Sequence, residues 1–224
     1  MLISINIIGI ISFAKYKKII RRSTMIVFIG KLAPDFTAKT VMPDDTIDSN
    51  FNLRTYLKGH KGVLFFYPLD FTFVCPSEII AFNNRLGEFN SRGTKVVAVS
   101  VDSHFSHHAW KSMSVNKGGI GNVQFPLVSD LSKEISKSYN VLSDESISFR
   151  GTFLIDDDFK VRHYLVNDLP LGRNVDETIR MIDALDYHNT HGEVCPAGWK
   201  KGDQGMSATK QGVSDYLTSN ADNL

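Results

Sequence analysis

The sequence is poor in cysteine, with only Cys75 and Cys195 among its 224 residues. Two cysteines are too few for the disulfide framework of a small secreted domain, and they lack the C-x-x-C spacing of a zinc site or a thioredoxin-type redox pair. Without such a pattern, a lone cysteine is by default a small buried hydrophobe. The role of each cysteine therefore has to be judged from its own neighbours.

The chain also lacks an excess of charge, because 25 Lys and Arg residues balance 24 Asp and Glu residues to a formal net charge of +1. The interior of the sequence has no basic stripe interleaved with aromatic residues. We therefore expect neither nucleic acid nor a membrane as a partner. Hydrophobic residues at 42% and charged residues at 22% are typical of one globular domain with a real core.

Acidic residues are missing before Asp35, and residues 1–24 resemble an addition to the domain. The apolar run Leu2–Ala14 is shorter than the roughly 20 residues that span a bilayer, and its basic residues follow it, unlike those of a secretory signal. Two hypotheses remain, a mitochondrial presequence and an upstream start codon with Met25 as the working start. We favour Met25 slightly, which predicts a cytoplasmic protein, with a mitochondrial location as the alternative.

Buried strands alternate with amphipathic helices along the rest of the chain. The predicted strands are 62–67, 94–101, 125–128, 150–156 and 161–166, and the predicted helices are 76–89, 104–114, 132–139 and a closing helix from 175 to about 187. The closing helix begins after Asn174, which with Glu177 resembles a capping box. This order predicts an α/β fold, a thioredoxin-like sandwich with a central mixed sheet over residues 25–191. Residues 192–224, rich in Gly, Lys, Ser and Asn, are expected to form a C-terminal arm.

Cys75 comes directly before Pro76, which is tolerated only in the first turn of the predicted helix. A thiol reacts with peroxide as the thiolate, and a free cysteine, with a pKa near ~8.5, is mostly protonated at neutral pH. A helix N-terminus favours an anion, because it carries the equivalent of roughly half a positive charge. Thr72, three residues earlier, has a hydroxyl that could bind both thiolate and peroxide. A helix-capping threonine is an equally natural interpretation.

Arg150 is an outlier, because it precedes the apolar stretch Gly151–Ile155 of a predicted strand. A guanidinium facing the sulfur of Cys75 would stabilise the thiolate and polarise the peroxide bond, with Glu78 orienting it. The alternative is a strand-edge arginine that reaches solvent.

Cys195 lies on the arm and is the only other thiol. Attack on peroxide would leave Cys75 as a sulfenic acid, which condenses with a second thiol or is oxidised further. In a two-fold dimer, the arm of one subunit could bring Cys195 to the other subunit. The spacing of the two cysteines does not decide this.

Three histidines, His104, His107 and His108, share helical spacing and could form a metal site. We favour a solvated helix face instead. Two rival functions also stay open. A thiol-disulfide oxidoreductase on the same fold is disfavoured by the missing C-x-x-C motif, and a holdase chaperone would leave no mark on individual residues.

The stretch from about Ile29 to Tyr216 resembles the typical two-cysteine peroxiredoxins. Four blocks carry the resemblance: FYPLDFTFVCPSEI, FRGTFLID, VNDLPLGRNVDE and HGEVCPAGWKKG. The first contains the family pattern P-x-x-x-S/T-x-x-C as Pro68, Thr72 and Cys75.

The resemblance implies a peroxidase that reduces hydrogen peroxide and organic hydroperoxides through a sulfenic acid on Cys75. It implies that Cys195 of the partner subunit resolves this acid, that Thr72 and Arg150 bind thiolate and peroxide, and that Pro68 shields the sulfur. A thioredoxin-like reductant, a homodimer, assembly into a decamer and the absence of any metal or organic cofactor are also implied. A holdase chaperone or a peroxide-signalling relay is the alternative function.

Lys117–Gly121 resembles the Gly-Gly-Leu-Gly insert of family members that over-oxidise readily. Those members also carry Tyr-Phe in the terminal helix, whereas this sequence has Tyr216 and Leu217. The resemblance therefore does not predict strong sensitivity to over-oxidation.

Overall fold

A mixed seven-stranded sheet organises residues 27–224, the part of the chain that the computed structural model describes. The strands are β1 Thr37–Val41, β2 Ile47–Asn52, β3 Lys61–Phe66, β4 Thr94–Ser100, β5 Leu127–Ser129, β6 Arg150–Ile155 and β7 Val161–Asn167. Their order across the sheet is β2-β1-β5-β4-β3-β6-β7. The hypotheses about residues 1–24 lie outside the described residues.

The three central strands β3, β4 and β5 run parallel, and β6 and β7 form the predicted antiparallel hairpin beside β3. Because helices cover both faces, the four residues Val63–Phe66 of β3 are all apolar and buried, rather than only alternate ones. Phe65 belongs to one buried cluster and Leu64 and Phe66 to the other. This confirms the predicted α/β sandwich with a central mixed sheet.

The helices are α1 Leu53–Leu57, α2 Cys75–Asn84, α3 Leu86–Ser91, α4 His104–Ser112, α5 Glu134–Ser138, α6 Val175–His191 and α7 Lys210–Asn220. The single helix predicted over 76–89 is wrong in extent, because it breaks at Arg85. There the backbone N–H of Arg85 bonds to the carbonyl of Phe82, a tighter i to i−3 turn than an α-helix makes. None of the described helices is long and apolar enough to cross a membrane.

The closing helix α6 is longer than predicted and ends at Gly192, whose φ of 70° is the left-handed conformation that glycine adopts freely. Asn174 caps its start by accepting from the backbone N–H of Asp176 at 2.9 Å. In a complete capping box, the carboxylate of Glu177 would also accept from the backbone N–H of Asn174. This bond is not among the described hydrogen bonds, so only half of the predicted capping box forms.

Four elements were not predicted from the sequence: strands β1 and β2, which form a hairpin, and helices α1 and α7. Both hairpin strands carry mainly polar side chains and have few buried positions, so they lack a hydrophobic period. Helix α7 has no buried residue. Its start is set by Thr209, which accepts from the N–H of Gly212 at 3.0 Å.

The loop after α4 contains a short 3₁₀ turn, Val115–Lys117. Gly119, two residues after this turn, is tightly packed. A Cβ atom at Gly119 would overlap the backbone carbonyl of Met113. This position therefore accepts no side chain unless the loop shifts.

Candidate active site

Cys75 is the first residue of α2, and its side chain is completely buried. The preceding residue, Val74, is the N-cap and supplies no side-chain hydrogen bond to the helix. The sulfur therefore lies at the positive end of a helix whose first turn has no side-chain cap. This confirms the predicted position of Cys75.

Arg150 reaches the sulfur from the neighbouring strand. It is the first residue of β6, which pairs with β3, and its Nη1 atom donates to Cys75 Sγ at 3.5 Å. The same nitrogen donates to Glu78 Oε2 at 2.6 Å, and Nε donates to the carbonyl of Leu169 at 2.7 Å. With only 4% of its side chain exposed, Arg150 does not reach solvent, so that alternative is wrong and the predicted contact with Glu78 is present.

Arg173 joins this cluster and was not predicted from the sequence. Its Nε donates to Glu78 Oε1 at 2.8 Å, and its Nη2 donates to Glu78 Oε2 at 2.9 Å. Its backbone N–H also donates to Oε1, at 2.9 Å. The available signal in the sequence was the position of Arg173 directly before the predicted helix cap Asn174.

Glu78 is thus a buried carboxylate held by two guanidinium groups. Burial alone would raise the pKa of Glu78, but the hydrogen bonds and charge of Arg173, together with the charge of Arg150, outweigh it and hold the pKa below its ordinary value. Glu78 therefore stays ionised and fixes both arginines in place.

Thr72 and Pro68 occupy the turn that connects β3 to α2. The hydroxyl of Thr72 donates to the carbonyl of Leu69 at 2.8 Å, and among the described hydrogen bonds it makes none to Cys75. Thr72 is not the helix cap either, because Val74 takes that position. Pro68 is buried at the start of the turn.

The turn is anchored through Asp70 to α4. Asp70 Oδ1 accepts from the hydroxyl of Tyr67 at 2.8 Å, and Oδ2 lies 2.8 Å from His107 Nδ1. His107 Nε2 lies 3.2 Å from the carbonyl of Val128, so both ring nitrogens face acceptors. Burial, followed by the charge of Asp70, raises the pKa of Tyr67 well above its ordinary value, so its hydroxyl remains a donor.

His107 is fully buried, and the expectation of a solvated helix face is wrong at this position. It lies three residues before the buried Trp110, on the face of α4 that points toward the sheet. Its ring lies between the carboxylate of Asp70 and the carbonyl of Val128. In residues 27–224, no group of three or more His, Cys, Asp or Glu side chains is placed to hold a metal.

The backbone of the same turn is strained at Phe71, which has a φ of 55°. A bulky residue in the left-handed region costs on the order of 1–3 kcal/mol and persists only where its surroundings enforce it. The ring of Phe71 packs on Trp110 at a centroid distance of 5.6 Å. Its neighbour Asp70 is held by a backbone bond to Asp102 Oδ2 at 2.9 Å.

Cys195 lies between α6 and α7 as a free, half-buried thiol. Its Sγ atom donates to the carbonyl of Ala184 at 3.5 Å. Burial raises the pKa of the Cys195 thiol, and the charge of Arg180 opposes this. The surrounding loop is ordered by the buried Trp199, whose ring packs 4.9 Å from that of Tyr187.

The arrangement around Cys75 suits nucleophilic attack by sulfur on a small electrophile. A helix terminus and a guanidinium both favour negative charge on the sulfur, and Arg150 can also stabilise charge that develops on a leaving oxygen.

Two family models match the chain. One, described as the AhpC/TSA family, covers residues 29–164, and the other, described as the C-terminal domain of 1-Cys peroxiredoxin, covers residues 184–219. The first match contains Cys75 and Arg150, and the second contains Cys195. Residues 1–24 lie outside both.

Similar proteins of known name agree with these matches. Alkyl hydroperoxide reductase C of Helicobacter pylori is 55% identical over 193 residues, covering 86% of this chain and 98% of that protein. The reduced 2-Cys peroxiredoxin of Plasmodium vivax has a TM-score of 0.84 at 47% identity, covering 86% of this chain and 100% of the solved one. The mitochondrial 2-Cys peroxiredoxin of Plasmodium falciparum has a TM-score of 0.71 at 49% identity, covering 75% of this chain and 99% of that one.

Proposed function

The chain belongs to the AhpC/TSA family and is a thiol-dependent peroxidase, and on that basis we propose that Cys75 is its peroxidatic cysteine. The observation that carries the proposal is the 3.5 Å approach of Arg150 to a sulfur buried at the start of α2. The family implies a peroxide substrate and a thioredoxin-type reductant.

In the first step, the Cys75 thiolate attacks one oxygen of the hydroperoxide. The S–O bond forms as the O–O bond breaks, which gives a sulfenic acid and, after protonation of the leaving oxygen, water or an alcohol. Arg150 stabilises both the thiolate and the leaving oxygen, while Glu78 and Arg173 hold its guanidinium in place. Thr72 binds the peroxide after rotating from Leu69, and Pro68 limits access of water.

In the second step, Cys195 of the partner subunit attacks the sulfenic acid, forming an intersubunit disulfide and releasing water. A thioredoxin-like protein then reduces the disulfide. Cys75 must leave its buried position for this step, because another chain cannot reach a completely buried sulfur. No metal or organic cofactor takes part in this proposal.

The test is consumption of hydrogen peroxide by the purified chain with a thioredoxin system, followed by non-reducing electrophoresis. The wild type should turn over and form a disulfide-linked dimer. Cys75→Ser should abolish turnover, and Cys195→Ser should retain one oxidation event but lose cycling. Full cycling of the Cys195→Ser variant would overturn the two-cysteine mechanism.

We propose further that residues 25–191 form the peroxidase domain, that residues 192–224 form an arm, and that two chains make a homodimer that assembles into a decamer. Exposed apolar residues near the active-site turn support assembly, since Phe73 is 96% and Phe105 69% exposed. Sedimentation of the reduced protein should give a mass of ten chains. A monomer at all concentrations would contradict this.

We place the protein in the cytoplasm, with the mitochondrion as the alternative if residues 1–24 act as a presequence. Fusing residues 1–24 to a fluorescent reporter separates these locations. A diffuse reporter supports the first, and a reporter imported into mitochondria supports the second.

A further inference from the structure

We propose that Asp70 and His107 are positioning residues that clamp the turn 68–75 in its folded form. By doing so they set the fraction of oxidised Cys75 that is over-oxidised rather than captured in a disulfide. This inference rests on the proposed function, since it concerns the fate of the same sulfenic acid.

The clamp ties the turn to α4 and to the end of β4. Asp70 uses both carboxylate oxygens, one toward Tyr67 and one toward His107, while its backbone N–H donates to Asp102. Asp102 is in turn bonded by the hydroxyl of Ser100 at 2.7 Å. The carboxylate and the imidazole are 1% and 0% exposed, so their contacts are made without competing water.

The clamp opposes strain stored in the adjacent residue. Phe71 has a φ of 55°, a conformation that its side chain disfavours. Asp70 fixes the backbone on its N-terminal side, and Trp110, from the same helix as His107, packs against its ring. Once Asp70 is released, the turn can relax toward an ordinary conformation, so loss of the clamp favours opening.

Opening of the turn carries Cys75 with it. The helix α2 receives no side-chain cap from Val74, and its first turn is closed by bonds from the backbone N–H groups of Ser77 and Glu78 to the carbonyl of Val74. Five positions separate Asp70 from Cys75, so a shift of the turn removes the support of this uncapped end.

Folded and opened states lead the oxidised sulfur to different products. In the folded site, the sulfenic acid reacts with a second peroxide, which oxidises sulfur to a sulfinic acid and is itself reduced to water or an alcohol. In the opened site, a thiol displaces water from the sulfenic acid and forms a disulfide. A tight clamp therefore favours the sulfinic product, and a loose clamp favours the disulfide.

The first test is hydrogen exchange of the reduced full chain, followed by mass spectrometry of peptides covering 68–80. In His107→Gln, exchange there should be about fivefold faster or more, because a buried charged acceptor has lost its partner. Tyr67→Phe should give a smaller increase. His108→Gln, on the same helix, is the matched control and should leave the exchange of this segment unchanged.

The second test is the sulfinic fraction of Cys75, measured by mass spectrometry after cycling with a reductant at high peroxide. It should fall about fivefold or more in His107→Gln. Ile182→Val, which removes one methylene from the core in α6, controls for general destabilisation and should leave this fraction unchanged.

Unchanged exchange and an unchanged sulfinic fraction in His107→Gln would overturn the inference, as would an equal effect of Ile182→Val. Failure of the proposed function looks different. In that case, wild-type Cys75 would not be oxidised by peroxide at all, while the exchange of 68–80 would still respond to His107→Gln.

Discussion

The Nη1 atom of Arg150 lies 3.5 Å from the sulfur of Cys75 and 2.6 Å from Glu78. One nitrogen of a buried guanidinium is thus shared between a reactive sulfur and a permanent carboxylate. The carboxylate fixes the direction in which the guanidinium points. The sulfur then meets a donor that is already in place before any substrate arrives.

Replacing Arg150 should therefore slow peroxide reduction far more than it lowers stability. We expect Arg150→Ala to reduce the rate constant for oxidation of Cys75 by about 100-fold or more, the usual cost of removing one preorganised donor. Arg150→Lys should fall between this variant and the wild type. Competition for hydrogen peroxide with a reference peroxidase measures the rate.

Arg92→Ala is the matched control. Arg92 also forms an ion pair, with Asp183 at 2.7 Å, but it lies near the start of β4, whereas the turn that carries Cys75 follows the end of β3. It should leave the rate of Cys75 oxidation near that of the wild type. An Arg150→Ala variant with an unchanged rate would show that the guanidinium acts only in structure.

Glu78→Gln should destabilise the protein, because it takes away the carboxylate that two buried guanidinium groups share. The free energy of unfolding at pH 7 should fall by about 3–5 kcal/mol. Since the folded protein holds the pKa of Glu78 below its ordinary value of 4.5, this contribution is complete above pH 4.5 and disappears as the pH falls through the folded pKa. The difference between wild type and variant should therefore shrink in acid.

Urea unfolding at neutral pH and below pH 4 measures this difference. Glu88→Gln is the control, because Glu88 pairs with Arg85 at the surface and should change stability little at either pH. A Glu78→Gln variant as stable as the wild type at pH 7 would contradict a structural role for this carboxylate.

The formation of the disulfide should accelerate with rising pH. Burial raises the pKa of the Cys195 thiol above its ordinary value, so at neutral pH only a small fraction is thiolate. The rate after one equivalent of peroxide should rise about tenfold per pH unit between pH 7 and 9. Acid-quenched samples resolved on non-reducing gels give the rate.

Arg180→Gln should shift this profile to higher pH, because it removes the positive charge that opposes the effect of burial. A flat pH profile in the wild type would contradict attack by the Cys195 thiolate as the slow step.

Gly119→Ala should lower the free energy of unfolding by about 1–3 kcal/mol, since the new methyl group overlaps the carbonyl of Met113 and forces the loop to move. Gly87→Ala is the control. Gly87 lies in α3 with nothing within 4 Å of its Cβ position, so alanine there should stabilise by about 0.5–1 kcal/mol. Thermal unfolding followed by circular dichroism compares the two. Equal stabilities would exclude the overlap.

The sequence allowed prediction of those features whose cause is local. Pro76 restricts Cys75 to the start of a helix, and a charged Arg150 beside an apolar stretch was a candidate for a contact with the sulfur and Glu78. Both expectations agree with the structure. The β3 strand was predictable for the same reason, because burial on two faces leaves an uninterrupted apolar run.

Features that depend on distant contacts were not predictable in this way. His107 shows only helical spacing in the sequence. Nothing in its neighbours indicates that its ring contacts the buried carboxylate of Asp70, 37 positions earlier. Arg173 likewise meets Glu78 across 95 positions. A polar side chain on the inner face of a helix or loop has the same sequence pattern as a solvated one, and only the tertiary fold separates them.

The net charge of the active site changes during the proposed reaction. The charged groups concerned are those of Cys75, Glu78, Arg150 and Arg173. With a thiolate, two anions face two cations, and the buried group is neutral. In the proposed reaction, oxidation converts the thiolate to an uncharged sulfenic acid, so one guanidinium loses its counter-ion in a place where an unbalanced charge is costly. The site is thus best balanced before it reacts and least balanced just afterwards, so the reaction itself promotes departure of the oxidised sulfur toward the second thiol.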